Sequence, residues 1–307
     1  MDTSEEELAA IKDKVLRLKR EMNAVIVAHN YQRPEVQDVA DFVGDSLELA
    51  RKCMGVESDY IVFCGVDFMA ETAVILNPSR TVLLSEGRAF CPMAQMIDID
   101  DLREWKARFT NAAVVSYVNT SAAVKAESDI CCTSANAVKV VESLPNEEVL
   151  FVPDQHLAHF VATKTGKKII PYPGYCITHR RLKREHIAMA RQAHPGAPVL
   201  VHPECTAEVI EDADAVLSTS QIARYVKESQ AKSFLIGTEQ GLLYRMQQEN
   251  PDKTFYLLTP GLLCVTMKRT TLPILLQTME ERRNVIRVPE DVRLKAKRAL
   301  DRMLEVG

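Results

Sequence analysis

The chain repeats itself three times, and each copy ends in a cysteine. The segments Asp59 to Cys91, Glu148 to Cys176 and Lys232 to Cys264 each open with an apolar, strand-like run. Each then continues through a helix-length stretch, a second apolar strand and a turn bearing Gly. The cysteines lie 85 and 88 residues apart. A period of that length means three copies of one small domain. If the copies pack around a pseudo-threefold axis, equivalent residues meet there, and three thiolates distant in sequence converge on one point.

Two further landmarks keep the same register. One is a strand ending in polar residues: AVIVAHNYQ (24–32), AVVSYVNTS (113–121) and PVLVHPECT (198–206). Its tips, His29, Tyr117 and His202, lie 88 and 85 residues apart. The other is a strand entering a helix, with Ser46, Ser134 and Ser220 spaced 88 and 86 apart. Each copy therefore reads strand, helix, strand, helix, strand, helix, strand, Cys. Short apolar strands alternating with helix-length segments predict parallel sheets covered on both faces. The fold class is α/β, with three pseudo-threefold-related α/β/α sandwich domains around a central site. The expected boundaries are 1–107, 108–193 and 194–307. Ligands of such sheets bind beyond the carboxyl ends of the strands, where the polar tips lie.

Outside the repeat, Leu8, Ile11, Val15, Leu18 and Met22 form one apolar helical face. Ser4 and Glu7 fit a capping box before it. Residues 289–304 start with Pro289 and read as a second flanking helix, expected to pack back on the first repeat. The 307 residues carry 38 basic and 42 acidic side chains, a net charge of −4. That balance gives no reason to expect nucleic acid or an anionic membrane as partner. There is no apolar run of membrane-spanning length, and the acidic start MDTSEEELAA does not suit a signal peptide. A cytoplasmic chain is expected, with its eight cysteines reduced, buried or metal-bound.

Any one cysteine reads most simply as a small buried apolar residue. Cys53 and Cys64 fit that reading. Cys131 and Cys132 are adjacent, which makes joint ligation of one metal awkward. Cys205 follows a strand tip but has no counterpart in the other copies. Cys91, Cys176 and Cys264 differ, because they share one repeat position on turns with Gly or Pro: EGRAFCP, YPGYC and TPGLLC. Three thiolates suit zinc or an iron–sulfur cluster. A structural zinc takes four closed ligands, and electron-transfer clusters take four cysteines. Three ligands on a [4Fe–4S] cluster leave one iron open as a Lewis acid that helps a hydroxyl leave. The odd count favours dehydration chemistry.

The tips supply His29, Asn30 and Tyr31, then Tyr117 and Asn119, then His202 and Glu204, with His179 three residues after Cys176. Each alone reads as a structural hydrogen-bonding group. Together, aimed at the thiolate axis, they are proton-shuttle candidates. Ser46, Ser134, Ser218 and Thr219 lie at helix starts. Capping is their ordinary task there, and a helix N-terminus also favours anions. A small, multiply anionic substrate fits three such starts. No dinucleotide or NTP loop motif is present.

These residues resemble the quinolinate synthase family. The matching segments are AHNYQ with GDS, FCPM, YVNT, CTSAN, PGYC followed by His179, HPEC, STS and CVTMK, running from residue 28 to 268. The resemblance implies a [4Fe–4S] cluster held by Cys91, Cys176 and Cys264. It implies a transferase that condenses iminosuccinate with dihydroxyacetone phosphate to quinolinate, phosphate and two waters. His29, Ser46, Tyr117, Val118, Asn119, Ser134, His202, Pro203, Glu204, Ser218 and Thr219 are then substrate-binding. Tyr31, Tyr117, Glu204, His202 and His179 are then catalytic. Iminosuccinate would come from an aspartate oxidase or dehydrogenase. The residues themselves supply the thiolates, the anionic substrate and the dehydration bias, and leave two rivals open. One is another iron–sulfur hydro-lyase acting on a hydroxy-acid. The other is a non-catalytic binding protein with a structural zinc.

Overall fold

A computed structural model describes residues 5–307. The proposed cap at Ser4 lies outside the described residues. Helix α1 spans Glu5–Glu21. The first repeat then runs β1 (Ala24–His29), α2 (Pro34–Gln37), β2 (Phe42–Gly44), α3 (Ser46–Met54), β3 (Tyr60–Cys64), α4 (Asp67–Leu76) and β4 (Thr81–Leu84). After α5 (Ile99–Arg108), the second runs β5 (Ala113–Tyr117), α6 (Ala122–Ala126), β6 (Ile130–Cys132), α7 (Ala137–Glu142), β7 (Glu148–Val152), α8 (Gln155–Ala162) and β8 (Lys168–Pro171). After α9 (Arg184–Ala193), the third runs β9 (Val199–Val201), α10 (Ala207–Glu211), β10 (Ala215–Val216), α11 (Thr219–Glu228), β11 (Ser233–Gly237), α12 (Gly241–Glu249) and β12 (Thr254–Leu257). Two helices close the chain, α13 (Leu272–Glu281) and α14 (Glu290–Val306).

Each repeat forms its own four-stranded sheet, with orders β2-β1-β3-β4, β6-β5-β7-β8 and β10-β9-β11-β12. Every pairing within these sheets is parallel. The strand order therefore reverses at the first strand of each repeat, whose carboxyl end carries His29, Tyr117 or the chain just before His202. That is where open α/β sheets bind ligands.

A second periodic device pins the first two strands of each sheet. Asp41, Asp129 and Asp214 accept the N–H of Ile26, Val114 and Val199 at 2.8, 2.7 and 2.7 Å. Each aspartate returns its own N–H to that same residue's carbonyl. The reciprocal pair satisfies backbone groups at the strand starts that the ladder leaves over.

The chain divides into two compact units. One comprises residues 1–91 and 264–293, the other 92–263 and 294–307. The helix after each cysteine explains the division, because it packs on the next sheet in the cycle. Leu102 of α5 is buried with Val114, Leu150 and Val152 of the second sheet. Ile187 of α9 is buried with Val199, Val201 and Leu235 of the third. Leu272, Leu275 and Met279 of α13 are buried with Ile26, Val62 and Leu83 of the first, together with Val15 and Met22 around α1. The α1 face read from the sequence is thus the one that covers the first sheet. Cuts after 107 and 193 part α5 and α9 from the cores they build, so the packing moves those boundaries toward the cysteines.

Helix α14 is a correction. Residues from Leu294 onward group with the second and third repeats, while the first turn of the helix groups with the first. Asn136 donates to the Met303 carbonyl at 3.5 Å, and Arg302 to the Asp129 carbonyl at 2.5 Å. The stripe Ala296, Ala299, Leu300 and Met303 is buried. An apolar stripe specifies that a helix will be covered, not by which repeat. No helix among the described residues is long and apolar enough to cross a membrane.

Candidate active site

In the unit built on the second and third sheets, three sequence-selected residues, Tyr117, His179 and His202, meet around the Glu204 carboxylate. Glu204 follows β9 and is buried. Its Oε1 accepts from Tyr117 Oη at 2.6 Å, and its Oε2 lies 2.7 Å from His179 Nδ1. His202 stacks on His179 with ring centroids 4.6 Å apart. Burial on its own would raise the Glu204 pKa. The neighbouring His202, the hydrogen bond and charge of His179, and the Tyr117 hydroxyl outweigh it and hold the carboxylate well below its ordinary range. Glu204 is thus an acceptor, with the Tyr117 hydroxyl and two imidazole rings as its neighbours.

His179 is fixed from both sides. Its Nε2 pairs with Thr238 Oγ1 at 2.9 Å, and its Nδ1 also lies 3.2 Å from Cys176 Sγ. With Nδ1 aimed at a carboxylate, the neutral ring carries its proton there and accepts from Thr238 at Nε2. Cys176, His179 and Glu204 offer ligand atoms within 4.8 Å of one another and could hold a metal ion. The 2.7 Å separation of His179 Nδ1 from Glu204 is a hydrogen bond. Two ligands of a tetrahedral zinc with ~2.0 Å bonds stand roughly 3.3 Å apart, so a mononuclear ion would have to spread that pair.

The strand tips repeat one local device. His202 Nδ1 accepts the Glu204 N–H at 3.3 Å, and in the other unit His29 Nδ1 accepts the Tyr31 N–H at 3.2 Å. Both rings then present Nε2 away from their own loop. Tyr31 meets the His29 ring edge-on at 4.5 Å. Gln32 donates to the Met267 carbonyl at 3.1 Å, Arg33 to the Lys268 carbonyl at 2.8 Å, and Lys268 Nζ to the Tyr31 carbonyl. The Tyr31 loop is thereby tied to the turn that follows Cys264. Asn119 stands at the position equivalent to Tyr31 and Glu204. Its Oδ1 is buried without a hydrogen-bond partner, an unusual condition for a polar atom. Val118 and Pro203 are buried beside these tips, with the Val118 N–H given to the Cys132 carbonyl at 2.9 Å.

The helix starts need correction. Ser218 does cap α11, accepting from Gln221 N at 3.4 Å, and Thr219 is the first helical residue. At α3 the cap is Asp45, which accepts from Leu47 and Glu48 at 3.1 and 3.0 Å; Ser46 is the first helical residue. Ser134 lies on a turn three residues before α7, whose start has no side-chain cap. The true periodic set is Ser46, Ser134 and Thr219, and Ser220 lies one residue out of register. A carboxylate at position 45 competes with the hydroxyls for the helix N–H groups, and as the stronger acceptor it wins.

The cysteines separate into two populations. Cys53, Cys64, Cys131, Cys132 and Cys205 are buried, whereas Cys91, Cys176 and Cys264 are partly exposed; none is in a disulfide. Burial pushes the thiols of Cys53, Cys64 and Cys131 up to about 12. Each exposed cysteine precedes a 3-10 turn by three residues: Ala94–Met96, His179–Arg181 and Met267–Arg269. Gly174 lets one of these loops close, because a Cβ there would stand 2.5 Å from the Pro153 carbonyl oxygen. Sequence reasoning passed over Thr238, Asp45 and three acids at the third helix of each repeat, Asp67, Asp154 and Glu239. Their spacings of 87 and 85 residues carried the signal.

The profile of the Quinolinate synthetase A protein family (NadA) matches residues 13–305. The chain belongs to this family. Curated relatives named quinolinate synthase include one from Dehalococcoides mccartyi, 55% identical over 296 residues, covering 96% of this chain and 98% of the relative. Another from Alkaliphilus metalliredigens is 53% identical over 295 residues, covering 96% and 97%. A third, from Methanoregula boonei, is 52% identical over 299 residues, covering 97% and 99%. Family membership makes the buried Glu204 cluster the candidate centre of an enzyme of quinolinate synthesis.

Proposed function

We propose that this family member is a transferase that condenses iminosuccinate with dihydroxyacetone phosphate to give quinolinate, phosphate and two waters. The observation that carries the reading is the Glu204 cluster. A buried, ionised carboxylate touches a tyrosine hydroxyl and a histidine that itself touches Cys176. The reaction must move several protons between carbon, nitrogen and oxygen, and this set can hold and pass them. Glu204 takes a proton, Tyr117 Oη gives or retakes one, and Thr238 keeps the His179 ring oriented. His29, Tyr31, His202 and the unsatisfied Asn119 Oδ1 offer further polar contacts. Ser46 and Thr219 at the starts of α3 and α11, with Ser134 and Ser218, suit carboxylate and phosphate oxygens.

Cys91, Cys176 and Cys264 are read as the ligands of a [4Fe–4S] cluster. Their chemistry fits: they are the partly exposed thiols, they share one place in the repeat, and no other cysteine lies near any of them in sequence to form a local CxxC-type site. When bound, a cluster with three protein ligands supplies an open Lewis-acidic iron for dehydration. The test is anaerobic reconstitution followed by a quinolinate assay with and without the triose phosphate. Quinolinate only when both substrates are present supports the reading. Dehydration of a hydroxy-acid without the triose phosphate would assign the hydro-lyase alternative instead. Stoichiometric zinc with no iron would end both.

A further inference from the structure

Two acids at the start of the third helix of a repeat, Asp67 and Asp154, reach much further along the chain than a helix cap does. Asp67 Oδ1 accepts the backbone N–H of Cys91 at 3.1 Å, 24 residues away. Asp154 Oδ2 accepts that of Cys176 at 3.2 Å, 22 residues away. Capping alone does not account for this. Asp67 is not the cap of α4; Val66 is, and it makes no side-chain cap bond. Asp154 does cap α8, with Oδ1 accepting from His156 and Leu157 at 2.8 Å each, and it spends its second oxygen on the cysteine.

The clamp has a second point in all three repeats. The carbonyl two residues before each cysteine accepts an N–H from the same helix start. These are Asp67 to Ala89 at 2.9 Å, Gln155 to Gly174 at 2.9 Å and Gln240 to Leu262 at 3.0 Å. In the third repeat the acid turns inward, with Glu239 Oε2 accepting from Gly241 N at 2.7 Å. Cys91 and Cys176 are thus held both at their own amide and at the carbonyl two residues before.

We infer that Asp67 and Asp154 are positioning residues that fix the backbones of Cys91 and Cys176 and so preset the directions of their thiolates for a metal cluster. The inference rests on the reading of these cysteines as ligands. Groups that hold a ligand in place from behind tune metal retention by 10- to 100-fold in other sites. Here the holding group acts on the ligand's backbone, so the thiolate is aimed whether or not metal is bound.

The experiment compares full-length wild type, Asp67→Ala, Asp67→Asn and Asp154→Asn after anaerobic loading. It reads iron and sulfide per chain, the rate at which a chelator bleaches the visible band, and the melting temperature of the metal-free chains. Asparagine at 67 keeps the one oxygen that Cys91 uses. Asparagine at 154 has one carbonyl oxygen, which the two shorter cap bonds to His156 and Leu157 claim, so an amide NH2 faces the Cys176 N–H and that hold is lost. Expected are bleaching at least about ten-fold faster for Asp67→Ala and Asp154→Asn, and within about two-fold of wild type for Asp67→Asn. Melting temperatures should stay within several degrees of wild type. If Asp67→Ala does not fold, the contrast between the two asparagine variants decides. A wild-type cluster retained equally by all variants, or equal loss from both asparagine variants, would overturn the clamp alone. Wild type that takes up no cluster would overturn the ligand reading and the clamp with it.

Discussion

Tyr117 Oη donates to Glu204 Oε1 across 2.6 Å, joining the tip of the second sheet to the loop after the first strand of the third. The two residues are 87 positions apart in sequence, and both are buried. A short bond from a neutral hydroxyl to a carboxylate in that setting is charge-assisted. Tyr117→Phe removes it and keeps the ring. The variant should fold and take up its cluster, while quinolinate formation falls roughly ten- to a hundred-fold, matching the about 1.5–3 kcal/mol of such a bond. Steady-state assay on the reconstituted protein checks it, and unchanged turnover would make the hydroxyl structural.

Glu204→Gln keeps the shape and removes the charge that His179 and Tyr117 hold in place. Turnover should drop at least about a hundred-fold, the lower range for a positioned acid or base. Iron content and substrate affinity should change little. Near-normal turnover would leave Glu204 a hydrogen-bond acceptor with no catalytic part.

Thiol labelling should sort the cysteines. In the metal-free protein at pH 8, iodoacetamide should modify Cys91, Cys176 and Cys264 within minutes. Cys53, Cys64 and Cys131, with pKa values near 12, hold roughly one thiolate in ten thousand at that pH and are also shielded. Their pKa values are raised, so reactivity grows only as pH climbs toward 12, and native protein should stay unlabelled there below that range. Peptide mass spectrometry reads the outcome; early modification of Cys131 would contradict it.

Serine at Cys91, Cys176 or Cys264 should abolish the anaerobic visible spectrum. Serine at Cys53, buried on α3, should leave it intact and show its effect in the melting curve instead. A spectrum that survives any one of the three ligand changes would remove that cysteine from the ligand set.

Ser218 and Ser134 should respond differently to alanine. Ser218 caps α11, so Ser218→Ala should cost about 1 kcal/mol of stability. Ser134 caps nothing, so Ser134→Ala should melt like wild type and weaken substrate affinity roughly ten-fold or more, as expected for loss of a bond to a charged group. Calorimetry and apparent substrate affinity separate the two.

The triplication, the four-strand order of elements in each copy and the shared turn position of Cys91, Cys176 and Cys264 were legible in the sequence. Periodicity made them so: a strand tip or a cysteine turn recurs at a fixed interval whatever surrounds it. The sequence did not say that α5, α9 and α13 each serve the next sheet, because an apolar helix face records that it is covered and not by what. It did not say that α14 meets Asp129 and Asn136. It placed hydroxyls at the helix starts, where Asp45 outcompetes Ser46 for the N–H groups of α3. Nor could it show that Thr238 orients His179, or that Asp67 and Asp154 hold cysteine amides more than twenty residues away. Those bonds depend on how loops from different strands close on one another, and only the folded chain brings their donors and acceptors within 3 Å or so.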